Sequence, residues 1–154
     1  MITAFESFLN ELGKTLEFDM TPEENGTCSI IIDDKLVIQL ESTADEKELL
    51  LISPIAEILP GAFRIKVFTN ALKANNQIPK TGNFAFNDSS TELFLFEYFS
   101  LEMQDTEKFK IILELFAEKA INWKEALMRN ESAPAEFISQ LTPAPSPLNG
   151  PFFR

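Results

Sequence analysis

Few residues in this chain could do covalent or acid–base chemistry. There is no histidine, which removes imidazole zinc sites and the Ser-His-Asp and Cys-His arrangements. The single cysteine, Cys28, lies in the run Cys28-Ser29-Ile30-Ile31-Ile32. Inside such a strand a thiol reads as a small buried apolar group, not a nucleophile. Asp33-Asp34 could in principle be a metal or acid–base pair. Neighbouring strand residues face opposite ways, however, and Asp is a favoured turn former, so the pair reads as a turn. The other carboxylates scatter over helix faces and match no calcium loop. No G-x-G-x-x-G or Walker-type loop is present, and five glycines leave little room for one. Without a convergent polar cluster, the expectation is no enzymatic activity and no cofactor or metal.

The sequence is rich in apolar surface instead. It holds fifteen Phe against one Trp and one Tyr, and Phe rings carry area without a polar handle, so they mark burial or adhesive surface. In "TELFLFEYFS", Leu93, Leu95 and Phe99 point one way and Phe94, Phe96 and Tyr98 the other. A surface strand normally has one apolar and one polar face; here something must cover the second. The formal net charge of −11 speaks against a phosphate backbone or an anionic membrane as partner. No stretch approaches the roughly 20 apolar residues of a membrane span, and the N-terminus lacks a signal-peptide pattern. The chain therefore reads as cytoplasmic, with no nucleic acid bound and no membrane insertion. In that setting the Asn25-Gly26-Thr27 sequon carries no meaning.

The elements that must hold these surfaces follow from periodicity. A helix is predicted from about Ala4 to Glu17, opened by a Thr3/Glu6 capping box, with Phe5, Phe8, Leu9, Leu12 and Leu16 in one stripe. Phe5, Leu9, Leu12 and Leu16 make the tighter line, so Phe8 is expected at its margin. Cys28–Ile32 and Leu36–Glu41 flank Asp33-Asp34-Lys35 as a hairpin. "KELLLISPI" reads as a third strand ended by Pro54. A second helix is predicted over Phe63–Asn75, with Val67, Ala71 and Ala74 on one side and Ile65, Phe68 and Leu72 beside them. "NFAFN" and "TELFLFEYFSL" form a second hairpin. A third helix spans about Thr106 to Met128, with Phe109, Ile112, Leu113, Phe116, Ala117, Ala120, Trp123 and Leu127 in its stripe. The chain divides into a domain over 1–129 and a proline-rich, mobile or extended tail over 130–154, where five of the nine prolines fall, with "EFISQL" the one tail segment able to dock as a short helix or strand. Helix, three strands, helix, two strands, helix implies an α+β fold on a twisted antiparallel sheet.

This order, with the size and acidity, resembles the class I type III secretion chaperones, the Tir-chaperone family. Local echoes are "NGTCSIIIDDKLVIQL", "NALKANNQ" and "AEKAINWKEAL". The resemblance implies a homodimer without enzymatic activity or cofactor. Its implied partners are extended N-terminal segments of secreted effector proteins, kept secretion-competent and brought to the export apparatus, with the secretion ATPase or sorting platform as a further contact. The matching effector-binding positions are Phe5, Phe8, Leu9, Leu12, Ile30, Ile32, Val37 and Ile38. The matching dimer positions are Val67, Phe68, Ala71, Leu72, Phe84, Phe86, Leu93 and Leu95. The rival reading is a carrier of a small hydrophobic ligand in a Phe-lined cavity.

Overall fold

Thr3 caps the first helix as its sequence predicts. Its hydroxyl accepts from the Glu6 N–H at 3.1 Å, and the Glu6 carboxylate accepts from the Thr3 N–H at 2.9 Å. In the computed structural model, which describes residues 2–102 and 105–141, this opens α1 (Ala4–Leu16). There follow β1 (Thr27–Ile32), β2 (Leu36–Ser42), β3 (Glu48–Glu57), α2 (Ala62–Ala74), β4 (Asn83–Asn87), β5 (Glu92–Ser100), α3 (Thr106–Met128) and α4 (Ala135–Gln140). The five strands form one antiparallel sheet in the order β1-β2-β3-β5-β4, the expected α+β architecture.

Strand alternation sorts the side chains. Leu36, Ile38 and Leu40, Leu49 and Leu51, and Leu93 and Leu95 are buried on one face. There α3 packs across β2 and β3, α1 packs on α3, and α2 flanks β4. The opposite face is only partly shielded. Leu50 pairs with Tyr98, Ile52 with Phe96 and Pro54 with Phe94. Phe94 and Phe96 stack at 6.0 Å and Phe96 and Tyr98 at 6.1 Å, yet Tyr98 stays 51% exposed. The two apolar faces of "TELFLFEYFS" thus have different covers: helices on one, strand neighbours alone on the other.

The structure departs from the expected elements in two places. Pro54 does not end β3, which continues to Glu57. The register shifts between Pro54 and Ala56, a bulge that tolerates the missing N–H. Extending the β2–β3 register sets Val37 against Pro54, and the buried Ser53 hydroxyl donates to the Val37 carbonyl at 2.7 Å instead. A side chain thus supplies the hydrogen bond that proline cannot.

The second departure lies in the tail. After Asn130, in the left-handed region with φ 62°, the chain folds back. Asn70 donates to the Ser132 hydroxyl at 3.1 Å, Ala133 is fully buried, and α4 sets Phe137 against Trp123 at a ring distance of 5.4 Å. Residues 131–141 therefore pack as part of the core rather than as an extended strap, because Trp123 offers an apolar surface that Phe137 fills. The rest of the expected tail, 142–154, lies outside the described residues.

Candidate functional site

The outer edge of β1 is where the fold leaves hydrogen-bonding capacity unused. Lys35 N–H donates to the Ile32 carbonyl at 3.0 Å, with Asp33 and Asp34 at φ 52° and 54°, the two positive values that a type I′ hairpin turn requires. Asp33-Asp34 is therefore a turn, and no cluster of metal-ligating side chains occurs among the described residues. Since Ile32 bonds inward, the alternation of an antiparallel ladder aims Thr27, Ser29 and Ile31 outward. Thr27 is satisfied: its N–H donates to Asn25 Oδ1 at 3.1 Å and its carbonyl accepts from Glu23 N–H at 2.6 Å. The outward amides and carbonyls of Ser29 and Ile31 have no such partner among the described residues, and both residues are exposed.

Beside this edge runs a groove of about 560 Å3. Its floor and walls are Leu16, Phe18, Ile30, Ile32, Leu113, Ala117 and Ile121. Tertiary contacts pin both ends. At one, the Thr15 and Thr106 hydroxyls join α1 to the start of α3 at 2.9 Å. At the other, Lys35 pairs with Glu125 at 3.0 Å and Lys124 donates to the Lys35 carbonyl at 2.7 Å, tying the hairpin turn to the end of α3. Phe18 reaches the groove because α1 stops sharply. Glu17 takes a left-handed conformation (φ 62°), Phe18 N–H closes on the Gly13 carbonyl at 3.0 Å, and a Cβ on Gly13 would lie 2.6 Å from the Phe18 carbonyl oxygen. Gly13 is thus the residue that lets the chain cross the helix end closely.

Most residues expected at an effector surface lie in the chain's own core. Phe5, Phe8, Leu9, Leu12, Ile30 and Ile38 are all buried. Phe8 is not marginal: it meets Phe109 edge-on at 5.2 Å, since α3 crosses the very flank of α1 that a single narrow seam would leave open. Ile30 and Ile32 border the groove. Val37, 42% exposed, pairs with Ile31 on the opposite face of the sheet. Periodicity placed Ala117 in the α3 stripe but did not single out Phe18 or Ile121; the available signal was Ile121, one turn beyond Ala117.

The β4 edge is built differently. The Asn75 carboxamide accepts from Phe84 N–H at 2.7 Å and donates to Phe84 C=O at 3.1 Å, so a side chain occupies the outward bonds of Phe84 in that strand. Lys119 reaches from α3 to the Thr81 carbonyl at 2.8 Å. Burial pushes its pKa down, against the raising effect of Glu97. Of the positions expected at a dimer contact, Val67, Ala71, Phe84, Leu93 and Leu95 are buried. Phe68 and Phe86, half-buried, and Leu72, 66% exposed, rim a hollow of about 140 Å3 over Ala71 and Leu93. Ile65, seven residues before Leu72 and so on the same flank of α2, is also exposed. This Phe-lined hollow is smaller than the roughly 300–1,000 Å3 of small-molecule sites. The thiol of Cys28 is buried and its pKa raised, chiefly by burial with Glu23 adding, which disfavours the thiolate.

Residues 7–124 match the profile of the family described as Tir chaperone protein (CesT). No curated protein sequence matches the chain. Among solved structures, a chain of the HopA1–SchA chaperone–effector complex superposes with a TM-score of 0.65 at 19% identity, over 80% of this chain and 94% of that one. A chain from the complex of the Yersinia pestis type III secretion chaperone SycH with a stable fragment of YscM2 gives 0.59 at 18% identity, over 76% and 97%. YbjN from E. coli, proposed as a transcription regulator, gives 0.57 at 14% identity, over 84% and 95%. These likenesses establish the fold and leave the function to the family and the site.

Proposed function

From the premise that this chain belongs to the Tir chaperone protein (CesT) family, a family of non-enzymatic type III secretion chaperones, we propose that it is a cytoplasmic chaperone for the unfolded N-terminal segments of secreted effectors. It binds such a segment, keeps it soluble and delivers it to the export apparatus. The observation that carries this reading is the free β1 edge beside an apolar groove. An extended segment added there gains backbone hydrogen bonds from Ser29 and Ile31, while every second side chain enters the groove beside Ile30 and Ile32. A chaperone recognises unfolded chains of differing sequence, and backbone bonding with shallow apolar pockets suits that task. The related complexes described as chaperone–effector pairs support it.

The decisive variant is Ile31→Pro. The Ile31 N–H points away from β2, so proline at this edge costs the sheet no bond. It removes a donor from the added strand and sets a ring in its path. The unfolding midpoint should stay near wild type. Binding of a segment first captured from native cytosol and identified should weaken by about tenfold or more, one net hydrogen bond's worth. Undiminished binding would move the site elsewhere.

The same reading makes the protein a homodimer through α2 and β4, where Leu72 is exposed at the Phe68–Phe86 hollow and Ile65 is exposed on the same flank of α2. An obligate interface of this kind typically buries about 2,000 Å2 or more. Light scattering at micromolar concentration should give twice the chain mass; monomer mass alone overturns the dimer.

A further inference from the structure

The groove beside β1 has a charge pattern that strand addition does not need. Of the charged side chains in its lining, Asp33, Glu114 and Glu118 are acidic and Lys110 alone is basic. None of the four forms an ion pair among the described residues, although Lys35 and Glu125 pair just beyond the groove's end. The charges are also ordered. The Thr15–Thr106 contact marks the α1 end and the Lys35–Glu125 pair marks the hairpin end. Lys110 sits toward the first; Glu114 and Glu118 follow along α3 toward the second, where Asp33 stands in the turn.

We infer that the occupant of this groove is an extended segment whose apolar residues alternate and which carries Lys or Arg just outside the apolar run, set against Asp33, Glu114 and Glu118. This rests on the strand-addition reading above and adds the chemistry that selects among segments. The apolar floor favours any alternating sequence, since transfer of methyl and methylene groups from water is indifferent to partner. The carboxylates are not indifferent. Glu114 and Glu118 are exposed, so a cationic flank gains screened attraction at little desolvation cost, while an acidic flank is repelled. Complementary charge of this kind governs specificity and capture rate more than total affinity.

Two short peptides separate the possibilities. Both carry the same alternating Ile/Ser core; one is flanked at each end by Arg, the other by Glu. With the full chain at low salt, the Arg-flanked peptide should bind about five- to tenfold more tightly, and the ratio should shrink toward unity in about 1 M salt as exposed charges are screened. In the double variant Glu114→Lys, Glu118→Lys, checked by circular dichroism for an unchanged fold, the preference should invert. Equal binding of the two peptides to wild type at low salt overturns the charge selection while leaving strand addition standing. A preference that survives the double reversal places the selecting charges outside the groove and likewise overturns it. Binding of neither peptide removes the strand-addition reading itself.

Discussion

The sheet has two edges, and they are finished in opposite ways. At β4, Asn75 at the C-terminal cap of α2 bonds both outward groups of Phe84, Lys119 from α3 holds Thr81 in the approach to the strand, and the Arg64 guanidinium lies 4.7 Å from the Phe86 ring centroid. At β1, the side-chain help stops at Thr27, and Ser29 and Ile31 face outward beside an apolar groove. Unpaired edges invite aggregation, and proteins usually blunt them. Here one edge is blunted at Phe84, whose outward groups Asn75 occupies. The other is left beside an apolar groove whose charged lining is three carboxylates and Lys110. An edge protected by charge instead of by covalently attached neighbours is one that a ligand can reach.

The contrast can be broken first at Asn75. Asn75→Ala releases Phe84 N–H and C=O from partly buried positions. The expected loss is about 1–3 kcal/mol, the cost of leaving such groups without their partner. Urea unfolding, read at the midpoint with unchanged slope, measures it. Segment binding at β1 should be unaffected, because α2 still stands beside β4 and the sheet order keeps the two edges apart. A midpoint equal to wild type would mean that water serves Phe84 as well as Asn75 does, and the β4 edge would then differ from β1 only by its neighbours.

How far this contrast was visible in the sequence depends on the kind of information each residue carries. Local chemistry was legible. The capping box at Thr3 and Glu6, the Asp33-Asp34 turn and the three long helices follow from short-range rules and recur in the fold. Pro54 misled because its missing N–H matters only through the register with Val37, where Ser53 compensates. Phe8 misled because a helical stripe tells which flank is apolar but not how many neighbours share it; α3 meets Phe8 as well as the core line. Phe137 sits in "EFISQL", whose apolar spacing allows a docked helix inside a proline-rich stretch, but only the proximity of Trp123 shows where it docks. The groove was the hardest to see, because it draws on α1, β1 and α3 at once, and the Asn75–Phe84 pair depends on α2 and β4 meeting.

A smaller effect tests the second tie at the β4 edge. Lys119 donates to Thr81 C=O and lies 5.2 Å from the Phe84 ring centroid. Burial is the leading cause of its lowered pKa, so the folded chain disfavours its charge relative to the unfolded chain. Between the lowered folded value and the ordinary value of about 10.5, the unfolded state binds more protons than the folded state. Stability must then rise with pH across that window. Below it the full cost of holding a buried ammonium stands; above about 10.5 that cost is gone. A neutral amine still donates to Thr81, so the tether outlives the charge, whereas the attraction to the Phe84 ring does not. Because burial outweighs the attractive contributions, the net sign stays positive. Comparing wild type with Lys119→Met cancels the other titrating groups. The stability difference, wild type minus variant, should increase from neutral pH to about pH 10.5. A constant difference would show that the fold holds the Lys119 ammonium at no net cost relative to the unfolded chain, and burial would then not set the strength of this tie to Thr81.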